Sequence, residues 1–184
     1  MSLSADALNA RAQQVRLLLF DVDGVLTDGS VVISADGFEA KAFYIRDGAA
    51  LVWAKRAGLE VGFLSGRSSE ATRRRAVELG ISILIQGETD KRIGYAKILT
   101  DHGFSDEEIA YMGDDLFDLP VIGRVGLSAA PADAVDEVRA QVDWISRHNG
   151  GRGAVREFVE VVLKARGRWE ALVRRYSGRK TADD

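Results

Sequence analysis

Six short apolar runs punctuate the chain, at Val15–Phe20, Leu59–Leu64, Ile81–Ile85, Ile109–Met112, Val125–Leu127 and Val142–Ile145. A continuous apolar run, bounded by acids or glycine, suits a strand covered on both faces rather than one wetted on alternate residues. Between most of the runs lie helix-length amphipathic segments, including Ala49–Ala57, Ser69–Leu79, Lys91–Asp101 and Ala132–Arg139. Strands and helices in alternation require crossover connections, and these give an α/β fold: a doubly wound, Rossmann-like parallel sheet. Ser105 and Glu108 form a capping-box pattern before the fourth run. A last helix is predicted over Ala154–Ala165.

One segment breaks the alternation. Ser30–Ser34 and Phe38–Tyr44 flank Ala35-Asp36-Gly37, a turn with a glycine, and so predict a β-hairpin inserted directly after the first strand. A chain of 184 residues is the length of one domain. The expected organisation is a single domain over 1–184, with a helical extension at 1–14 capped by Ser4, the hairpin at 30–44 and a basic tail at 167–184. The absence of cysteine excludes disulfide scaffolds, thiolate metal sites and cysteine nucleophiles, and two histidines leave little for an imidazole metal site. A net charge of −3 argues against nucleic acid as a partner. No run approaches the roughly 18 apolar residues of a membrane span, and no basic-then-apolar leader opens the sequence. The expectation is a cytoplasmic protein without membrane partners.

The chemistry lies at three strand ends. The first strand runs into Asp21-Val22-Asp23-Gly24, the second into Ser65-Gly66-Arg67 and the fourth into Gly113-Asp114-Asp115, with Asp118 one turn on. Ligands of open α/β sheets bind beyond the carboxyl ends of strands, where the strand order reverses. Carboxylates from two such ends make a hard-oxygen site suited to Mg²⁺. Lys91, opening the helix after the third strand, adds a compact positive charge. Carboxylates, Mg²⁺, a hydroxyl, free amides and one lysine are the parts phosphoryl transfer needs, because its catalysis is largely positioning and charge neutralisation.

These residues resemble the four motifs of the haloacid dehalogenase superfamily. They are carried by Phe20-Asp21-Val22-Asp23-Gly24-Val25-Leu26-Thr27, Ser65-Gly66-Arg67, Lys91 and Gly113-Asp114-Asp115. Five further stretches narrow the resemblance to the 3-deoxy-D-manno-octulosonate 8-phosphate (KDO 8-phosphate) phosphatase family. They are Leu26-Thr27-Asp28-Gly29, Lys41-Ala42-Phe43 to Arg46-Asp47-Gly48, Gln86-Gly87 to Asp90-Lys91, Gly113 to Val121 and Gly150 to Glu157.

The resemblance implies a Mg²⁺-dependent phosphomonoesterase serving lipopolysaccharide biosynthesis. Asp21 would be the nucleophile and Asp23 the general acid and base. Mg²⁺ would be held by Asp21, the Asp23 carbonyl and Asp114, with Asp115 and Asp118 orienting the site. Ser65, Gly66 and Lys91 would hold the phosphoryl group, while Arg67, Arg46 and Asp47 face the sugar acid. Arg152 would reach a neighbouring subunit's site, in a homotetramer assembled through the hairpin. The glycine-rich Gly150–Gly153 segment also reads as a flexible lead-in to the last helix.

Spacing adds a separate constraint. Only 41 residues separate Asp23 from Ser65, and 22 separate Lys91 from Asp114, so neither gap holds a cap domain. Two alternatives stay open: a phosphatase for a nine-carbon sialic-type acid 9-phosphate, or a non-catalytic assembly subunit of the same fold. The first would be expected to carry Gly-Glu where this chain has Gly66-Arg67.

Overall fold

The structure is a computed structural model that describes residues 3–177. Its strands are β1 (Leu17–Phe20), β2 (Val32–Ile33), β3 (Glu39–Ala40), β4 (Glu60–Ser65), β5 (Ile83–Gln86), β6 (Ile109–Met112), β7 (Leu127–Ala130) and β8 (Trp144–Ile145). Six of them form one parallel sheet in the order β5-β4-β1-β6-β7-β8. The helices are α1 (Ala5–Gln14), α2 (Ile45–Arg56), α3 (Glu70–Glu78), α4 (Lys91–His102), α5 (Leu119–Ile122), α6 (Asp136–Arg139), α7 (Ala154–Ala165) and α8 (Trp169–Ser177). Among the described residues, no helix is long and apolar enough to cross a membrane.

The central strand shows why the apolar runs are continuous. Leu18 and Phe20 of β1 pack with Ala50 and Leu51 of α2 and Val155 and Phe158 of α7. Leu17 and Leu19 point the other way, into a cluster with Tyr95 and Ile98 of α4 and Val121 of α5. Successive side chains alternate faces, so a strand covered on both sides has no wet position. Each such leucine contributes about 1.5–3 kcal/mol by leaving water. From β1 the chain builds outward through β4 and β5, then crosses back to β6 on β1's other edge. That reversal opens a crevice at the carboxyl ends of β1, β4 and β6.

Several boundaries differ from the sequence expectation. The fifth strand begins two residues late, at Leu127, and continues through Ser128-Ala129-Ala130, whose small side chains hide it from a hydrophobicity reading. The helix expected over Ala132–Arg139 is only α6. The hairpin is paired only at Val32 with Ala40 and Ile33 with Glu39, because two strands with no third neighbour sustain little ladder. The helix expected from Ala49 starts at Ile45, which moves Arg46 and Asp47 into its first turn. The described part of the basic tail is helical, with Trp169 and Tyr176 packed on Trp53 of α2; the tail beyond residue 177 lies outside the described residues.

Candidate active site

Asp21 follows β1 without a break. Its amide donates to the Met112 carbonyl of β6 at 3.0 Å, so the sheet ladder itself fixes the backbone of this acid. Lys91 opens α4 just after Asp90, whose side chain accepts the Arg92 amide as the helix cap. The buried Lys91 ammonium lies 2.9 Å from Asp21 Oδ1, pairs with Asp118 and donates to the Tyr111 hydroxyl at 3.2 Å. Burial alone would lower the Lys91 pKa, but the Asp21 and Asp118 carboxylates outweigh it and raise the value.

Asp118 is fully committed. One oxygen receives Lys91 and the Tyr111 hydroxyl, and the other accepts the amides of Asp114 and Asp115 at 2.8 and 3.1 Å. Asp114 differs, because its Oδ1 is buried and accepts no hydrogen bond. Asp21, Asp114 and Asp118 bring carboxylate oxygens within 4.8 Å of one another. Burial raises the Asp21 pKa to about 7, reinforced by the Asp118 charge. Burial likewise raises that of Asp114 to about 8, reinforced by Asp21 and Asp118. Two buried carboxylates and the half-buried Asp114 against one ammonium are short of positive charge, and the orphaned Asp114 oxygen fits a hard cation.

Ser65 ends β4 with its side chain buried, its hydroxyl accepting the Arg67 amide at 3.2 Å. A cavity of about 400 Å³ opens over these groups. It is lined by Asp21, Asp23, Ser65, Lys91 and Asp114, and also by Gly66, Arg67, Asp115 and Asp118. Gly24 keeps the floor compact: its φ is +87°, and a Cβ there would come within 2.0 Å of Asp114 Oδ2.

Two expected substrate residues, Asp47 and Arg46, lie outside this cavity, and so does Arg152, which was expected at a neighbouring subunit's site. Asp47 is buried away from the cavity, accepting the Gly153 amide at 3.2 Å and the Arg156 amide at 2.8 Å. It therefore caps α7, whose own N-cap, Gly153, has no side chain to do so. Burial raises its pKa, and those two amides oppose the rise. Arg46 is exposed in the first turn of α2, outside the cavity lining, with its guanidinium 6.0 Å from the Tyr44 ring. Arg152 is exposed and faces Asp28 at 3.5 Å. The glycines around it are no flexible lead-in. The Gly151 amide donates to the Val25 carbonyl at 2.9 Å, and a Cβ on Gly150 would lie 1.7 Å from the Gly24 carbonyl.

Other residues at the site escaped the sequence reading. Thr89 and the exposed Phe117 line the cavity, and Tyr111 lies beneath Lys91 and Asp118. Lys41 pairs with Asp23, and Glu39 holds Arg67 at 2.9 Å. Charged residues at alternate positions of an otherwise apolar hairpin were the available signal for the last two.

An open parallel sheet with this acid and lysine cluster at its strand ends, and no inserted lid, defines a haloacid dehalogenase-like hydrolase; the family model of that description matches residues 79–159. The chain is 42% identical over 166 residues to the 3-deoxy-D-manno-octulosonate 8-phosphate phosphatase of Escherichia coli K12, covering 90% of this chain and 88% of that protein. It belongs to the KDO 8-phosphate phosphatase family of phosphoric monoester hydrolases. The Moraxella catarrhalis phosphatase, solved in complex with a magnesium ion, a phosphate ion and KDO, superposes with a TM-score of 0.91 at 37% identity, covering 93% of this chain and 98% of that one. The cobalt-bound Haemophilus influenzae phosphatase superposes with a TM-score of 0.85 at 37% identity, covering 88% and 94%.

Proposed function

We propose that the protein hydrolyses KDO 8-phosphate to KDO and phosphate through a phosphoaspartyl intermediate, as a cytoplasmic step of lipopolysaccharide biosynthesis. The observation that carries this reading is the cluster of Asp21, Lys91 and Asp114 at the floor of a cavity rimmed by Arg67. Asp21, Asp114 and the Asp23 carbonyl would hold Mg²⁺. When bound, the ion supplies the positive charge that lets an anionic carboxylate approach an anionic phosphate.

Asp21 attacks phosphorus, forming an acyl phosphate as the bond to the sugar oxygen breaks. Asp23 gives its proton to that departing oxygen, then takes one from the water that hydrolyses the acyl phosphate. Lys91, the Ser65 hydroxyl and the Gly66 amide hold the phosphoryl oxygens, while Asp115 and Asp118 keep the loop in place. Arg67 offers a planar fork to the sugar carboxylate, a group that hexose phosphates lack. Arg152, outside its own chain's cavity, is assigned to the cavity of a neighbouring subunit in a homotetramer. The arginine at position 67 favours the eight-carbon acid over the nine-carbon alternative.

Phosphate release with Mg²⁺ is the test, measured on KDO 8-phosphate, a nine-carbon acid 9-phosphate, hexose phosphates and a nucleotide. A strong preference for KDO 8-phosphate is expected, and Asp21→Asn should lose at least about a thousandfold in kcat because an amide is a poor nucleophile. Broad weak activity would remove the assigned substrate. Substantial turnover by Asp21→Asn would remove the covalent mechanism.

A further inference from the structure

The hairpin carries two charged side chains to Asp23 and Arg67, residues that line the cavity of its own chain. The Lys41 side chain is 1% exposed and its ammonium pairs with Oδ1 of Asp23. The same ammonium lies 3.5 Å from Glu39 Oε1, and Glu39 Oε2 holds Arg67 at 2.9 Å. Arg67, Glu39, Lys41 and Asp23 therefore form a row of alternating charge from the rim of the cavity to the acid next to the nucleophile. Two oxygens of this row, Asp23 Oδ2 and Glu39 Oε1, are buried and accept no hydrogen bond, and of the two only Asp23 Oδ2 belongs to a residue that lines the cavity. The Arg67 guanidinium lies 3.9 Å from Asp23 Oδ2, beyond hydrogen-bond range.

We infer that Lys41 is a positioning residue for the acid–base step: by binding Asp23 Oδ1 it fixes the carboxyl plane and leaves Oδ2 as the oxygen that exchanges the proton. This rests on the role proposed above for Asp23. A carboxyl group on a loop has two interchangeable oxygens and a freely turning Cβ–Cγ bond, so a general acid built on it spends much of its time misdirected. A lysine is a compact donor that can hold one oxygen and leave the other free, where an arginine fork would tend to take both. The buried stem of Lys41 has little freedom of its own. The hairpin's second strand, β3, and the lysine directly after it thus belong to the catalytic apparatus. Proton transfer then has one direction: Oδ2 protonates the departing oxygen as its bond to phosphorus breaks, and the resulting carboxylate later receives a proton from water.

Leaving groups separate this role from a merely structural one. Phenyl phosphate expels a poor leaving group that needs a proton; p-nitrophenyl phosphate, of nearly the same shape, expels a good one that does not. Neither carries the sugar carboxylate, so changes at Arg67 affect both alike. The readout is kcat/KM, which reports steps through the first irreversible one and leaves out later hydrolysis of the acyl phosphate. Lys41→Met should lower kcat/KM at least about tenfold more for phenyl than for p-nitrophenyl phosphate, within the range general acids contribute. Lys41→Arg, which keeps the charge but presents a fork that engages both oxygens, should show a split of the same sign. It also decides the matter should the methionine variant fail to fold. Equal losses on both substrates, or none, overturn the inference. Asp23→Asn is measured in parallel: a split there with none at Lys41 removes Lys41 alone, whereas no split at Asp23→Asn removes the role assigned to Asp23.

Discussion

A single ammonium, that of Lys91, stands among Asp21, Asp118 and the Tyr111 hydroxyl, and the charge it leaves uncompensated sets the pH behaviour of the site. Asp21 and Asp114 hold protons in the metal-free fold up to about 7 and about 8. The unfolded chain releases them near the ordinary value of about 4. Between those limits the folded state binds more protons than the unfolded one, so these two groups make metal-free stability fall as pH rises through that window. A divalent cation competes with the protons. The rise in Tm on adding Mg²⁺ should therefore be larger at about pH 8 than at about pH 5.5, and Asp114→Asn should remove most of it. Thermal melts with chelator or Mg²⁺ across pH measure this; a pH-independent shift would contradict it. Neither acid is unusual in the sequence, and only burial beside the other makes it so.

Among the elements, α7 and its entry loop decide most. The buried face of α7 (Val155, Phe158, Val159, Val162 and Leu163) completes the core on one side of the sheet. Its first turn has no cap of its own and borrows the Asp47 carboxylate from α2. Asp47→Ala would leave two amides of the α7 start without this acceptor. Urea denaturation should then show a loss of about 1–3 kcal/mol, with kcat on KDO 8-phosphate unchanged within about threefold. A large loss of kcat at unchanged stability would return Asp47 to the substrate. The glycines before α7 press against the loop that follows Asp21, so this helix and Asp21 share one support. The sequence marks the helix by its apolar spacing. It carries no mark that the acid of one helix serves another 106 positions away.

For the molecule as a whole, the hairpin is the feature that the described chain leaves incomplete. Val32, Ile33 and Phe38 expose more than 60% of their surface, on a two-stranded ladder with open edges. Such an edge is an aggregation risk unless other chains cover it. With the hairpin as the assembly element, Ile33→Asp should convert a tetramer to smaller species in analytical ultracentrifugation, with little change in the monomer's fold. A wild-type monomer would remove the assembly proposal. The central strands and main helices were legible because a sheet buried on both faces imposes continuous apolar runs, and a crossover imposes an amphipathic segment between them. The acids at the strand ends were legible for a related reason: an open parallel sheet gathers whatever follows β1, β4 and β6. What the sequence determined by itself was therefore the layer order and the inventory of the cavity floor. Tertiary structure alone decided the partnerships: Asp47 with α7, Lys41 with Asp23, Glu39 with Arg67, and Gly150 with the loop after Asp21. Each joins separate parts of the chain through only one or a few short contacts, and so few contacts, unlike a buried face, impose no periodic pattern on the sequence.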